Sequence, residues 1–483
     1  MPDQWLGGVY DPRERERIDV RDPATGNAID DVPRGTVEDV EDAVSRAVDA
    51  FATWRRLPTG ERAGLLHGVA SGIRSHQDSL ARLLTLESGK PLRDSVAELD
   101  LAAETFDFYA EVGRTDVGRM IAPGDPDQID FTRYEPYGVT ACITPWNFPL
   151  QLLAWKMAPA LAAGNPVVVL PSPLTPLATL KFAEVATGHL PPGVVSVLTG
   201  FGPEVGEALV LHRDVPHIAL TGSVQTGQVV MAQAAKRLKK LTLELGGKDP
   251  LVVAPDMSVD EAVPPIAFAG LLHAGQCCTS TERVYVPRAS FEEFTEALAA
   301  FVSVMRLGPG MDSTTDMGPL INNDAVDRVA SQVDEAVIGG ARLVTGGRRE
   351  GVEGGSFYAP TVLAHVDPSS RLMREEIFGP VLPISPYDDF DHVIAMANDS
   401  EFGLAASLLT RDAALAKRFY EEVDAGTIYI NDPLTPNYAA PFGGMKSSGL
   451  GRELGVEGLD QFRQVKHVHW DVVGRAKDAW RTS

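Results

Sequence analysis

Short apolar runs, Val139–Ile143, Val167–Leu170, Val194–Leu198 and His217–Leu220, alternate along this chain with helix-like stretches such as Pro176–Thr187 and Thr226–Leu238. A strand with one wet face alternates polar and apolar side chains, so runs that stay apolar throughout belong to strands covered on both sides. Strands that return in the same direction need a crossover long enough to hold a helix. The pattern therefore predicts an α/β fold, a parallel sheet with helices on both faces. A second strand-and-helix series follows Glu244, through Leu251–Val253, Val284–Val286, Phe291–Met305, Asp324–Ile338 and Val381–Ser385 to Thr427–Asn431, and predicts a second α/β domain. Ahead of both, the first part reads as helices. Thr36-Val37-Glu38-Asp39 resembles a capping box, after which Val40, Ala43, Ala47, Ala50, Phe51 and Trp54 recur at helical spacing until Pro58, with a second helix after Thr59. The length of 483 residues accommodates roughly three domains of about 150 residues each. No repeat or long linker separates them, so they are expected to pack closely.

Charge narrows the functions open to such a chain. There are 66 acidic against 43 basic residues, a formal net charge of -23, which argues against nucleic acid or anionic membrane as partners, since both need basic patches. The acidic excess reads as a well-solvated surface. No apolar run approaches the roughly 20 residues of a spanning helix. The segment Met1-Pro2-Asp3-Gln4-Trp5 has neither a basic region nor an apolar stretch, so the expectation is a cytoplasmic protein. Three cysteines, Cys142, Cys277 and Cys278, cannot make a disulfide framework and fit a reducing compartment; Cys142, between Ala141 and Ile143, reads as a small buried hydrophobe. No His, Cys and carboxylate cluster has metal-ligand spacing, so no metal is implied.

The chemistry concentrates in two segments, Glu244-Leu245-Gly246-Gly247-Lys248 and Gly275-Gln276-Cys277-Cys278. A thiolate attacks a carbonyl carbon, and the thioester that results needs a separate base to bring in water. One residue of each kind is present.

These two segments, in this order, strongly resemble the aldehyde dehydrogenase superfamily. Pro145-Trp146-Asn147-Phe148-Pro149, Thr221-Gly222-Ser223 with Gly227, Glu376-Ile377-Phe378-Gly379-Pro380, and Pro441-Phe442-Gly443-Gly444 with Lys446 and Ser448 follow in family order, so the resemblance covers nearly the whole chain. It implies an aldehyde dehydrogenase-like fold: a Rossmann-type NAD(P)-binding domain (1–118 and 137–246), an α/β catalytic domain (247–446), a small bridging β-sheet for oligomerisation (119–136 and 462–472) and a tail (473–483). It implies oxidation of a small-molecule aldehyde to the carboxylic acid through a cysteine thiohemiacetal and thioester, in a homodimer or homotetramer.

By the same resemblance Cys278 is the nucleophile, Asn147 supplies an oxyanion donor together with the backbone N–H of Cys278, and Glu244 is the general base that favours hydrolysis over acyl transfer to coenzyme A. Lys156 lies near the nicotinamide side and tunes ionisation, against the alternative of a surface helix lysine. Gly222 and Ser223 meet the pyrophosphate at a helix amino terminus, Glu376 holds the nicotinamide ribose, Phe378 packs beside the ring, and Thr144, Trp146, Ser172, Gly227 and Leu245 complete the cofactor set. Gly200-Phe201-Gly202-Pro203-Glu204-Val205-Gly206 has one residue too many for a dinucleotide fingerprint, yet the resemblance sets Gly202 near the adenine.

Three positions depart from the family. The strand that usually ends in lysine followed by Pro-Ser-Glu reads Val169-Leu170-Pro171-Ser172-Pro173, so both usual adenosine-ribose contacts are missing. The cofactor expected is NAD, with NADP possible. His273 stands where many relatives have asparagine and reads as a packed, hydrogen-bonded histidine. The aldehyde tunnel implied by position comprises Phe148, Leu152, Trp155, Cys277, Thr279, Leu434, Pro436 and Phe442. None is an arginine of the kind that relatives acting on carboxylated semialdehydes place there. Uncharged aliphatic or aromatic aldehydes are expected, with stacking of a quaternary ammonium on Trp155 as a variant. The competing readings are a catalytically weak structural or binding homologue, and a thiol esterase.

Overall fold

Five strands, Val195–Val197, Val167–Leu170, Thr140–Ile143, His217–Thr221 and Lys240–Glu244, lie side by side in that order, and every neighbouring pair is parallel. This is the sheet expected from the apolar runs. The computed structural model describes residues 3–115, 118–351 and 354–474. Nearly every side chain of the five strands is buried. Helices Pro149–Ala163, Leu177–Thr187 and Val224–Ala235 supply the crossovers. Short antiparallel strands finish the edges, Gln4–Leu6 and Val9–Asp11 beside Val195–Val197 and Gly449–Leu450 beside Lys240–Glu244.

From Thr140–Ile143 the chain winds outward to Val167–Leu170 and Val195–Val197, then returns to the other side of its starting strand with His217–Thr221. The loops after Ile143 and Thr221 therefore leave in opposite directions and open a crevice at the carboxyl ends of the strands, where doubly wound sheets bind ligands.

A seven-stranded sheet follows, in the order Arg342–Thr345, Thr361–Ala364, Val381–Tyr387, Thr281–Pro287, Asp249–Val253, Ala405–Leu409, Thr427–Ile430, parallel except for its first strand. Only Leu245–Lys248 separates the last parallel strand of the first sheet from Asp249–Val253. That short span sets the carboxyl ends of the first sheet against the amino ends of the second.

Strands Gln128–Pro136 and Arg463–Asp471 pair antiparallel from Pro136 with Arg463 to Gln128 with Asp471, and Met120–Ile121 adds a third strand. The two segments expected to come together thus pair with each other in a three-stranded sheet. Val465, Trp470 and Met120 of this sheet are exposed. Of the expected tail, 475–483 lies outside the described residues.

The capping box is present: the Thr36 hydroxyl accepts from the Asp39 N–H, and the Asp39 carboxylate accepts from the Thr36 N–H, at the start of helix Val37–Trp54. The amino-terminal part is not purely helical, however. The edge strands named above and a hairpin of Arg17–Arg21 with Ala28–Pro33 precede that helix. Short charged strands are stabilised by the partners they meet in the fold, and local pattern does not carry that information. Among the described residues no helix is long and apolar enough to cross a membrane.

Candidate active site

The loops that meet between the two sheets come from the carboxyl ends of the first, Thr144–Phe148 and Gly222–Ser223, and the amino ends of the second, Gly246–Lys248, Cys277–Ser280 and Glu376–Pro380. Glu244 is the final residue of its strand and is buried. The two glycines after it are dictated by close approach. A Cβ at Gly246 would lie 2.7 Å from the Glu376 carboxylate, and one at Gly247 would lie 2.5 Å from the Cys278 carbonyl oxygen. Only bare backbone fits between those two groups.

Cys278 is partly exposed and faces two spaces at once. On one side it lines a polar cavity of about 700 Å³ with Glu244, Asn147, Trp146 and Glu376. On the other it packs against an apolar cluster of Leu152, Trp155, Leu404, Phe442 and Leu454, with Phe148 and Tyr438 at its edge. Its thiol is raised well above the ordinary range by a hydrogen bond with Cys277, by burial and by the Glu244 carboxylate. Cys277 is held in the opposite sense by its hydrogen bonds with Cys278 and with Thr279, whose hydroxyl lies 3.3 Å from its sulfur.

The Asn147 amide donates one N–H to the Gln276 carbonyl at 3.0 Å, and its buried Oδ1 has no hydrogen-bond partner. The second N–H makes no hydrogen bond among the described residues. Gln276 is itself fixed, its Oε1 accepting from the Ile321 N–H and its Nε2 donating to the His273 carbonyl.

Glu244 lies in the same cavity wall as the thiol. Burial, reinforced by the nearby Glu453 charge, pushes its carboxyl up to about 8, against smaller lowering by Lys156, Cys278 and Thr221. Neither carboxylate oxygen completes a hydrogen bond of good geometry. Lys156 is fully buried, not a surface residue; it donates to the Thr221 hydroxyl at 2.5 Å and to Glu453 at 2.7 Å. Glu244, Thr221, Lys156 and Glu453 thus form a chain of polar groups leading away from Cys278. Nothing local in Gly451-Arg452-Glu453-Leu454 marks Glu453, which the sequence reading missed.

Of the expected cofactor residues, Trp146, Gly222, Ser223, Leu245, Glu376 and Phe378 line the polar cavity. Ser223 caps helix Val224–Ala235, its hydroxyl accepting from the Thr226 N–H. Burial, then Glu282, pushes the Glu376 carboxyl up to about 8. Phe378, at φ 51, meets Trp146 edge to face at 5.4 Å. Its strained turn is held by Glu282, which accepts the N–H groups of Ile377 and Phe378 while paired with Lys248. Thr144, Ser172, Gly202 and Gly227 are not in the cavity wall. The Thr144 hydroxyl is buried without a partner, and the Ser172 hydroxyl accepts from the Leu174 N–H. Gly227 sits under Leu245, whose Cδ atoms would be 2.7 Å from a Cβ there. Leu170 is buried in the core with Val205 and Leu209, so it presents no polar group where the family lysine would stand.

Sequence reading also missed Arg328, Gln225, Gln228, Gln332, Arg371 and Arg374 in the same wall. Arg371 and Arg374 are engaged by Glu375 and Asp399. Arg328 makes no hydrogen bond or ion pair among the described residues, and of the nearby carboxylates Glu376 acts on it most. A polar cavity with a helix amino terminus, an uncommitted guanidinium and a buried carboxylate beside the thiol suits a phosphate-linked, ribose-bearing cofactor.

The tunnel residues are brought together in part. Phe148, Leu152, Trp155 and Phe442 join Cys278, and Trp155 meets Phe442 edge to face at 5.0 Å. Cys277 and Thr279 stand beside them through their mutual contact. Leu434 instead packs against the core of the second sheet, and Pro436 is not in the cluster; Leu404, Leu454 and Tyr438 take their places. His273 is packed but not hydrogen-bonded as expected: it lies between Trp146 and Phe148 with both ring nitrogens unpartnered and is held neutral by burial. Cys142 is buried in the core, its thiol pushed up to about 12.

Residues 10–468 match the aldehyde dehydrogenase family. The chain is 39% identical over 466 residues to the NADP(+) succinate-semialdehyde dehydrogenase GabD of Escherichia coli (strain K12), covering 96% of each protein. It is also 39% identical over 465 residues to the mitochondrial succinate-semialdehyde dehydrogenase of Arabidopsis thaliana, covering 96% of this chain and 88% of that one. Among solved structures, it is similar to betaine aldehyde dehydrogenase from Staphylococcus aureus in complex with NAD+, with a TM-score of 0.97, 35% identity, and coverage of 100% of this chain and 97% of that one.

Proposed function

The chain belongs to the aldehyde dehydrogenase family and couples aldehyde oxidation to reduction of NAD(P); on that premise we propose that Cys278 is the nucleophile, Asn147 the oxyanion donor and Glu244 the base, acting on uncharged aliphatic or aromatic aldehydes. The observation that carries this reading is the position of Cys278, at the junction of a polar cavity suited to a cofactor and an apolar pocket suited to an organic substrate.

The steps follow from the groups around the sulfur. The Cys278 thiol gives its proton to solvent and attacks the carbonyl carbon, and the oxyanion is received by the free Asn147 N–H and the Cys278 backbone N–H. Bound NAD(P) supplies the two-electron acceptor. Gly222 and Ser223 would hold its phosphates, Glu376 its ribose, and Phe378 with Trp146 its ring. Collapse of the thiohemiacetal leaves a thioester on Cys278, and Glu244 then takes a proton from the water that hydrolyses it. The proton leaves through the Thr221 hydroxyl and Lys156 towards Glu453. Thr144, Ser172, Gly202 and Gly227 support these contacts from outside the cavity wall.

Cofactor selection rests on what Leu170 and Pro173 omit. With neither a lysine to attract a 2'-phosphate nor a glutamate to repel it, NAD is favoured over NADP only weakly. Arg328 is then the cationic anchor that remains free. Arg328→Ala is expected to raise the KM for both cofactors about tenfold to a hundredfold, the loss of one charged hydrogen bond, with little change in kcat. Initial rates over a cofactor titration measure it; an unchanged KM removes Arg328 from the site.

Phe148, Leu152, Trp155, Leu404, Phe442 and Leu454, which form this wall, are all apolar, and none of them offers the guanidinium that a carboxylated semialdehyde calls for. A second reading, a quaternary ammonium aldehyde, is favoured by the paired rings of Trp155 and Phe442 with Tyr438 beside them. The test is formation of reduced nicotinamide over aliphatic, aromatic, cationic and carboxylated aldehydes. Highest kcat/KM on the uncharged members is expected; a preference for succinate semialdehyde would overturn the pocket assignment.

The domain division given above belongs to the same proposal, as do a cytoplasmic location and subunit pairing into a homodimer or homotetramer. The free edge of strand Thr427–Ile430 and the exposed apolar residues of the three-stranded sheet support that pairing.

A further inference from the structure

We propose that Lys90 and Glu98 are positioning residues for the oxidation step, a buried pair that holds the Asn147 turn in register with Cys278; the proposal rests on Asn147 being the oxyanion donor. Lys90 lies between helices Gln77–Ser88 and Leu92–Val112, and Glu98 lies on the second of these. Both side chains are fully buried. The Lys90 ammonium donates to Glu98 at 2.5 Å and to the carbonyl of Asn147 at 2.6 Å, and stands 4.2 Å from the centre of the Phe148 ring. The other Glu98 oxygen accepts the N–H groups of Leu150 at 2.9 Å and Gln151 at 3.2 Å. Two charges carried by an earlier helical layer therefore grip the turn from Asn147 to Gln151 at both ends.

Capping of helix Pro149–Ala163 would account for Glu98 alone. It does not account for a lysine aimed at the carbonyl of the residue that carries the amide. Nor does stability account for the pair, because a buried ion pair is often no better than an apolar pair of the same volume. The Asn147 side chain has one hydrogen bond and an orphaned oxygen, so its aim depends on its backbone, and that backbone is what Lys90 and Glu98 fix. The opposite wall is built in the same way: the buried Lys248–Glu282 pair grips the turn at Ile377 and Phe378. The positive charge of Lys90 also reaches Cys277, in the sense that favours its thiolate.

Lys90→Met, Glu98→Gln, Asn147→Ala and the double variant Lys90→Met with Asn147→Ala separate a positioning role from a structural one. Single-turnover formation of reduced nicotinamide at saturating aldehyde is expected to slow about 30- to 100-fold in Lys90→Met, the scale of losing one aimed donor. KM is expected to move less than about threefold. The double variant is expected to be no slower than Asn147→Ala, because Lys90 acts through Asn147. Glu98→Gln keeps an acceptor for the two N–H groups but loses the charge, and is expected to fall between. Should Lys90→Met fail to fold, Glu98→Gln and its combination with Asn147→Ala carry the same comparison. A Lys90→Met rate within about threefold of the unmodified protein, or a defect that multiplies with that of Asn147→Ala, overturns the proposal. An unmodified protein that reduces neither cofactor overturns the oxidation reading, and this proposal with it; active protein with an unimpaired Lys90→Met overturns this proposal alone.

Discussion

Replacing Cys278 by alanine should reduce aldehyde oxidation by on the order of 10⁴ or more in kcat, the scale seen when a covalent nucleophile is removed. The same change at Cys277 should leave turnover within about tenfold, since that residue only neighbours the reacting sulfur. The three thiols have distinct surroundings. Cys142 is sealed in the core of the first sheet, and Cys277 is engaged by Thr279. Cys278 alone of the three lines the polar cavity and also touches the apolar cluster. Reduced-nicotinamide formation by the two alanine variants, with mass spectrometry of the site alkylated by iodoacetamide, measures the difference. Loss of activity on changing Cys277 but not Cys278 would move the nucleophile by one residue and break the assignment of Asn147 with it. Ester hydrolysis without cofactor, in a protein that oxidises no aldehyde, would promote the thiol esterase reading.

What could be read from the amino-acid order divides along physical lines. Strands such as Val167–Leu170 were legible because burial on both faces leaves an unbroken apolar run. The Thr36 cap was legible because its two partners are three residues apart. Glu244, Cys278 and Asn147 were legible as motif residues, and the structure brings them around one cavity. The charged groups that support them were not. Lys156 finds Glu453 across 297 residues, and Lys90 reaches Asn147 across 57. Each such lysine, taken alone, has the sequence signature of a solvated side chain. Arg328 was missed for the same reason: it lies off the buried face of helix Asn323–Ile338, and only the folded chain brings it to the cavity wall. Leu434 was misplaced because the loop that carries it takes its path from the core it packs on, not from the pocket its neighbours line.

Glu244→Gln should separate the two halves of the reaction. Thioester formation should survive as a burst of reduced nicotinamide close to one per active subunit. Steady-state turnover should fall by about 10² to 10⁴, the range for loss of a positioned base. In the unmodified protein the carboxyl of Glu244 is pushed up to about 8 by burial and by Glu453. A raised value means the proton is retained at neutral pH and the carboxylate, the form that can take a proton from water, accumulates as pH rises through about 8. Hydrolysis should therefore accelerate with pH through that range and level off above it. The variant, with no proton to lose there, should show a flat profile in the same window. Glu453→Gln removes a negative charge beside Glu244, so the midpoint should move to lower pH. Stopped-flow bursts and steady-state rates between pH 6 and 10 decide the matter. A burst lost together with turnover in Glu244→Gln would show that Glu244 is needed to ionise Cys278 before attack. A full rate without Glu244 would remove it as the base and leave Glu453, at the far end of the Lys156 chain, with no proton to receive.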